Sequence, residues 1–263
     1  MIDWSKQRVV ITGASSGIGE EVAREVARRG GVPILMARSY GKLLNIASEI
    51  KEETGVAPYV FEVDISNKED IHDVFLNIKQ TIGHVTVLVN NAGFGLFDSV
   101  QEASIEDIEA MFQVNVFGAI SSTKSVLPSM IEKNEGHIIF IASQAGKLAT
   151  PKSSGYSASK HAILGFANSL RMEVADENVN VSVVNPGPVR TKFFDMADKS
   201  GEYQKNVERY MLDSEKVAIK TVDLIEKPKR ELNLPRWMSA ASKLYQVYPT
   251  LVEAVAGKQF RKK

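Results

Sequence analysis

The sequence contains no cysteine. Disulfides, thiolate catalysis and cysteine-held metal centres are therefore excluded. Histidine is scarce: His72, His84, His137 and His161 are the full complement, and no pair has the spacing of an HExxH-type helix site. No metal is expected. Net charge is missing as well, because 32 Lys+Arg balance 32 Asp+Glu. That balance argues against a general nucleic-acid binder. No apolar run approaches the ~20 residues a membrane-spanning helix needs. The start, "MIDWSKQRVVITG", has no cationic lead before a long apolar core, so the expectation is a soluble cytoplasmic protein. Internal repeats and Gly/Ser- or Pro-rich linkers are also lacking, which favours one domain over two.

What is present is an alternation. "RVVIT" (Arg8 to Thr12), "VPILMA" (Val32 to Ala37), "PYVFEVD" (Pro58 to Asp64), "VTVLVNNAG" (Val85 to Gly93), "HIIFIAS" (His137 to Ser143) and "VNVSVVNPG" (Val179 to Gly187) read as strands, the fourth running into a turn. Between them, Gly17 to Arg29, Lys42 to Glu53, Lys68 to Thr81, Ile105 to Leu127 and Tyr156 to Ala175 carry helical periodicity. Ser214 to Lys227 reads as a further helix and Arg230 to Leu234 as a short edge strand. Continuous apolar strands alternating with amphipathic helices predict an α/β fold: a doubly wound, mostly parallel Rossmann-type sheet over residues 1–234. Its ligand belongs at the carboxyl ends of the strands. Residues 235–263 form a helical extension. There Trp237, Ala241, Leu244 and Tyr248 make an apolar stripe that Leu251, Val252 and Val255 continue. The stripe predicts packing on the core or on a second subunit. The basic end, Lys258, Arg261, Lys262 and Lys263, allows a weak peripheral contact with a membrane surface instead.

The first strand runs into "TGASSGIG" (Thr12 to Gly19). Gly13, Gly17 and Gly19 fall between a strand and a helix, where glycine lets backbone approach a pyrophosphate and the helix N-terminus offers free N–H groups. A glycine-rich turn made for packing alone is the plain alternative. The position in the first βαβ unit favours a dinucleotide, with Ser15, Ser16 and Ile18 in the same turn. After the second strand, where NAD enzymes present an acid to the ribose, stand Arg38 and Ser39. A fixed cation with several donors suits a 2′-phosphate, which predicts NADP(H). Asp64 and Ile65, after the third strand, suit the adenine, although an acid there also suits a helix start, and Ser66 reads as a cap. "NNAG" supplies Asn91, Ala92 and Gly93 at a turn facing the ligand.

In "SSGYSASKHAILGF", Tyr156 and Lys160 lie four residues apart, on one helical face. Ser143 ends the preceding strand. Asn115 sits inside a predicted helix, where asparagine fits poorly and suggests a kink or a held water. Singly, each has a plain alternative: a surface aromatic, a solvated charge, a helix cap. Phe94, Leu96, Phe97, Leu148, Phe193, Phe194 and Met196 suggest an apolar pocket nearby.

Taken in order, "TGASSGIG", "NNAG", Asn115, Ser143, "YSASK" and "NPGPVRT" resemble the short-chain dehydrogenase/reductase family over residues 8–191. The resemblance implies hydride transfer between a nicotinamide and a carbonyl or alcohol carbon. It implies Tyr156 as proton donor in reduction, Lys160 on the nicotinamide ribose and lowering the tyrosine pKa, and Ser143 orienting the carbonyl. It further implies Asn115 holding a relay water, Pro186, Val189 and Thr191 flanking the nicotinamide, a lid after the "PG" turn, and a homodimer or homotetramer. The expected activity is NADPH-dependent reduction of a small-molecule ketone or aldehyde. Two readings stand beside it: a non-catalytic NADPH-binding regulator, and an NADP-linked alcohol dehydrogenase working in reverse.

Overall fold

A computed structural model describes residues 2–198 and 201–260, without the side chains of Glu202 and of residues 255–260. Seven strands form one parallel sheet: β1 (Arg8–Thr12), β2 (Val32–Ala37), β3 (Tyr59–Glu62), β4 (Val87–Asn90), β5 (Gly136–Ile141), β6 (Val179–Pro186) and β7 (Glu231–Leu234). Their order is β3-β2-β1-β4-β5-β6-β7. The order reverses between β1 and β4, which opens a crevice at the carboxyl ends of those two strands.

Alternation along each strand divides two cores. Val10, Leu88, Ile138 and Phe140 face one layer. Val9, Ile11, Val87, Val89 and Ile139 face the other. Helices α1 (Gly17–Arg28) and α2 (Tyr40–Thr54) cover the second face, with the later helix α9 (Ser214–Glu226). On the first face lie α3 (Lys68–Thr81), α5 (Ala119–Lys133) and α6 (Ser154–Glu173), and α4 (Ile105–Phe112) packs against α6. Two short helices, α7 (Phe193–Ala197) and α8 (Glu202–Val207), precede α9; α10 (Arg236–Val247) and α11 (Pro249–Phe260) end the described chain. Two arginines brace α1. Arg24 pairs with Glu20, Glu49 and Glu53, and Arg29 with Glu25, Asp223 and Glu226.

Three expectations change. The predicted helix from Ile105 to Leu127 is interrupted by a π-helical stretch, Gln113–Gly118, and then runs on past Pro128 to Lys133. Pro128 lies on the exposed side, so water can satisfy the carbonyl it leaves unpaired, while Val126 and Met130 hold the helix to the sheet. The cap of α3 is Asn67, whose side chain accepts from the N–H groups of Glu69 and Asp70; Ser66 instead donates to Asp64. The stripe on α10 does not pack on the core: Trp237, Leu244 and Tyr248 are more than half exposed, at 55%, 51% and 57%. The buried position on that helix is Ser242, one turn from Met238, which rests against Gly187. The side chains of Val255 and Lys258, and all of Arg261, Lys262 and Lys263, lie outside the described part of the chain. Among the described residues no helix is long and apolar enough to cross a membrane.

Candidate active site

The crevice is part of a cleft of about 1090 Å³. Gly13, Ser15, Ser16, Gly17, Ile18, Arg38, Ser39, Asp64, Ile65, Asn91, Ala92 and Gly93 line one end. Ser143, Tyr156, Lys160, Pro186, Val189 and Thr191 line its middle. Two predicted residues, Gly19 and Asn115, stand behind the wall.

The glycine turn is made for a close approach. Gly13 and Gly17 have φ of +67° and +60°, a region costly for other residues. Ser16 caps α1 by backbone position, but its hydroxyl makes no hydrogen bond to the first turn. The N–H groups there are therefore left to a ligand, with the positive end of the helix behind them. These features fit a dinucleotide pyrophosphate. Gly19 has a different job: a Cβ on it would lie 2.5 Å from both Asn91 Nδ2 and the Gly13 carbonyl oxygen. It allows α1 to close on the β4 turn.

That turn is fastened to the glycine turn. Thr12 Oγ1 accepts from the N–H groups of Asn91 and Ala92, both at 3.0 Å. Asn91 Nδ2 donates to the carbonyls of Thr12 (2.9 Å) and Gly13 (3.2 Å). The Asn91 amide is thus occupied by backbone, and the turn offers the cleft mainly the backbone of Ala92 and Gly93.

At the far edge, Arg38 and Ser39 are exposed, and Ser39 makes no side-chain cap bond to α2. Lys42 also lines the cleft, one turn beyond Arg38; the sequence reading missed it. Asp64 Oδ1 accepts from Ser66 N (2.9 Å) and Ser66 Oγ (2.7 Å). Burial pushes this carboxyl up, but the Ser66 hydrogen bonds and Arg38 together hold it below its usual value.

Tyr156 and Lys160 share the inner face of α6, and both are buried. Lys160 Nζ lies 5.8 Å from the Tyr156 ring centre and donates to the Ile141 carbonyl at 3.0 Å. Burial pulls the ammonium down to about 8. Burial pushes the phenol up to about 12, and a hydrogen bond from Ser143 opposes that rise. The pairing predicts a lysine-lowered tyrosine; in this arrangement desolvation dominates instead. Ser143 also accepts from Ala145 N at 3.0 Å, starting a tight turn, Gln144–Gly146.

Asn115 occupies the π-helical stretch. Its Oδ1 accepts from Phe94 N (3.0 Å), and its Nδ2 donates to the Phe94 carbonyl (2.9 Å) and Ser159 Oγ (3.0 Å). Ser159 in turn donates to the Tyr156 carbonyl at 2.7 Å. The side chain thus ties the loop after β4 to the helix that carries the phenol. Thr12 and Ser159 stand inside "TGASSGIG" and "YSASK", but the sequence reading gave neither of them a role.

Of the expected apolar residues, Phe94, Phe97, Leu148, Phe193, Phe194 and Met196 line the cleft, and Leu96 does not. Tyr203, Tyr210, Trp237, Met238 and Ala241 line it as well. Among the described residues no group of three or more His, Asp or Glu could hold a metal ion.

Comparison with known proteins gives a consistent picture. The family model for short chain dehydrogenase matches residues 7–201. A dehydrogenase/reductase SDR family protein 7-like of Drosophila melanogaster is 39% identical over 188 residues, which cover 70% of this chain and 57% of the relative. The match thus spans little more than half of that relative's length. An uncharacterized oxidoreductase of Staphylococcus saprophyticus is 36% identical over 73% of this chain and 82% of its own. Among solved structures, a short chain dehydrogenase/reductase from Burkholderia phymatum in complex with NAD superposes with a TM-score of 0.87 at 25% identity, covering 95% of this chain and 96% of that one. An alcohol dehydrogenase from Thermococcus sibiricus complexed with 5-hydroxy-NADP superposes with a TM-score of 0.78 at 30% identity, covering 87% and 95%.

Proposed function

The chain belongs to the short-chain dehydrogenase/reductase family, and from that premise we propose that it reduces a ketone or aldehyde to an alcohol with NADPH, Tyr156 giving the proton. One observation carries the reading. The Tyr156 phenol, hydrogen-bonded by Ser143 and beside Lys160, lines the same cleft as the glycine turn and Arg38.

A nicotinamide dinucleotide, when bound, would supply the hydride. The residues of the chain do the rest. The glycine turn and the first turn of α1 take the pyrophosphate. Arg38, with Lys42 one turn away, supports a 2′-phosphate over a bare ribose, because a guanidinium forms charge-assisted hydrogen bonds to it. Thr191, Val189 and Pro186, on the middle of the cleft, would flank the nicotinamide. Lys160 offers its remaining N–H groups to the ribose hydroxyls. Ser143 and Tyr156 donate to the carbonyl oxygen as negative charge gathers on it, and Tyr156 then delivers its proton. Burial favours the protonated phenol at neutral pH, the form that reduction needs. Asn115 acts through others, holding Phe94 and Ser159 so that the loop and α6 keep their distance.

The test is Tyr156→Phe. NADPH affinity by fluorescence titration stays within about threefold, since no cofactor charge contact is removed. Carbonyl-dependent NADPH oxidation falls by about 10²–10⁴. Retention of a tenth or more of the activity refutes the assignment. The assembled Ser143–Tyr156–Lys160 group also counts against a purely regulatory cofactor binder, which has no use for a proton donor at the floor of its cleft.

A further inference from the structure

Beyond Tyr156 the cleft continues into a second compartment whose walls are aromatic. Phe97 and Phe193 stand 5.8 and 5.6 Å from the Tyr156 ring, centre to centre. Phe97 packs edge-on against Tyr203 at 4.9 Å, and Phe194 closes the group at 5.8 Å from Tyr203. Farther out, Tyr210 and Trp237 meet edge-on at 6.0 Å. The outer wall is α10. Met238 sits against Gly187, beside the turn that carries Pro186 and Val189, and Ala241 lies one turn along.

The polar inventory of this compartment is thin. Asp64, at the opposite end, is the one carboxylate among the described residues lining the cleft, and the buried Asp198, off that lining, already accepts from Gln204 N at 2.8 Å. Ser153 Oγ donates to the Thr150 carbonyl at 2.7 Å and also pairs with Thr150 Oγ1 at 2.9 Å, which commits both hydroxyls internally. Lys192 and Arg209 are exposed, and Arg209 already lies 4.5 Å over the Tyr210 ring. Asn206 is the one amide on this stretch of lining, so a polyol would lose water here and recover few of its hydrogen bonds.

We propose that the substrate is a ketone or aldehyde with an extended hydrocarbon or aryl body, held between the Phe97–Phe193–Tyr203 rings and the Trp237–Ala241 face of α10. The proposal rests on the reductase reading. Small polar carbonyls, sugars and 2-oxo acids are the classes it excludes. The helix after β7, outside every sequence motif, then sets specificity.

The experiment is a ladder of methyl ketones from 2-butanone to 2-undecanone, with acetophenone, pyruvate and glyceraldehyde beside them, followed by NADPH oxidation. The expected kcat/KM rises about fourfold per methylene over the first several carbons, and acetophenone exceeds pyruvate and glyceraldehyde. In Ala241→Trp, whose side chain fills the wall, the ratio of kcat/KM for 2-undecanone to that for 2-butanone falls at least tenfold. A flat ladder, or pyruvate or glyceraldehyde turned over better than 2-undecanone, overturns the proposal and leaves the reductase reading standing. A second readout is independent of turnover. The chain has two tryptophans, Trp4 and Trp237, so 2-undecanone should shift the emission of the wild type but not of Trp237→Phe. A shift without reduction of any carbonyl supports the apolar compartment and refutes the reductase. No shift and no reduction overturns both.

Discussion

His137 gives the stability of this protein a calculable dependence on pH. It lies in β5, buried between β4 and β6, with Nε2 2.8 Å from Ser182 Oγ and Nδ1 buried without a partner among the described residues. Desolvation alone pulls its imidazole down from 6.5 to about 4. Below the unfolded pKa, the unfolded chain binds a proton that the folded chain refuses, so stability is complete above pH 6.5 and drains away as pH falls toward 4. The limiting slope is about 1.4 kcal/mol per pH unit. Summed over both states, the loss between pH 7.5 and pH 5 comes to about 2 kcal/mol. The measurement is urea unfolding at pH 7.5, 6.5, 5.5 and 5.0 for wild type and for His137→Leu combined with Ser182→Ala, which removes the imidazole and its partner together. Carboxylates that titrate at the low end, Asp64 and Glu231 among them, are common to both proteins and cancel in the difference. The wild type should lose about 2 kcal/mol more than the double variant across that range. Parallel curves would mean that the folded imidazole accepts its proton freely, and the burial argument would be wrong.

Three further outcomes follow from the cleft. Arg38→Ala should weaken NADPH binding about ten- to hundredfold, the loss of a charge-assisted contact, and leave NADH within about twofold; an equal loss for both cofactors, read by fluorescence titration, contradicts the 2′-phosphate assignment. Gly19→Ala places a Cβ 2.5 Å from Gly13 O and Asn91 Nδ2, so thermal unfolding should register a destabilisation of about 1–3 kcal/mol, with weaker cofactor binding; a wild-type Tm refutes the close-packing role. Because burial raises the Tyr156 phenol, alcohol oxidation, which needs the phenolate, should rise up to about tenfold per pH unit from pH 6 to 9, while carbonyl reduction does not rise; identical pH profiles in the two directions remove Tyr156 from the proton path.

Local chemistry carried most of this architecture into view. The β-branched runs at Arg8 to Thr12 and Val32 to Ala37, and the helix Lys68–Thr81, are bounded where the sequence predicts. Gly13, Gly17, Tyr156 and Lys160 were legible because their spacing alone puts them on a turn or a face. What periodicity cannot express is which face meets what. The Trp237–Tyr248 spacing identified a stripe, but not that Met238 and Ser242, rather than the stripe, form the side seated on this chain. The π-helical stretch was signalled only by Asn115, a poor helix residue, since one widened turn leaves too short a trace in the hydrophobic pattern. Ser159 and Thr12 lie within quoted motifs, yet their roles were out of reach, because the partner of each hydroxyl is set by the tertiary fold. The raised Tyr156 pKa was also beyond reach, because burial, not the lysine four residues away, sets its sign.

The four hydrogen bonds from Thr12 and Asn91 make the glycine turn and the turn after β4 a single stiff jaw. The opposite jaw, made of α7, α8 and α10, carries none of the family's signature residues. If that jaw holds the substrate, rewriting α7, α8 and α10, while leaving α9 and β7 in the core, would reshape what the protein accepts without disturbing the register between the glycine turn and the phenol. Divergence in those helices among relatives would record changes of diet rather than changes of chemistry.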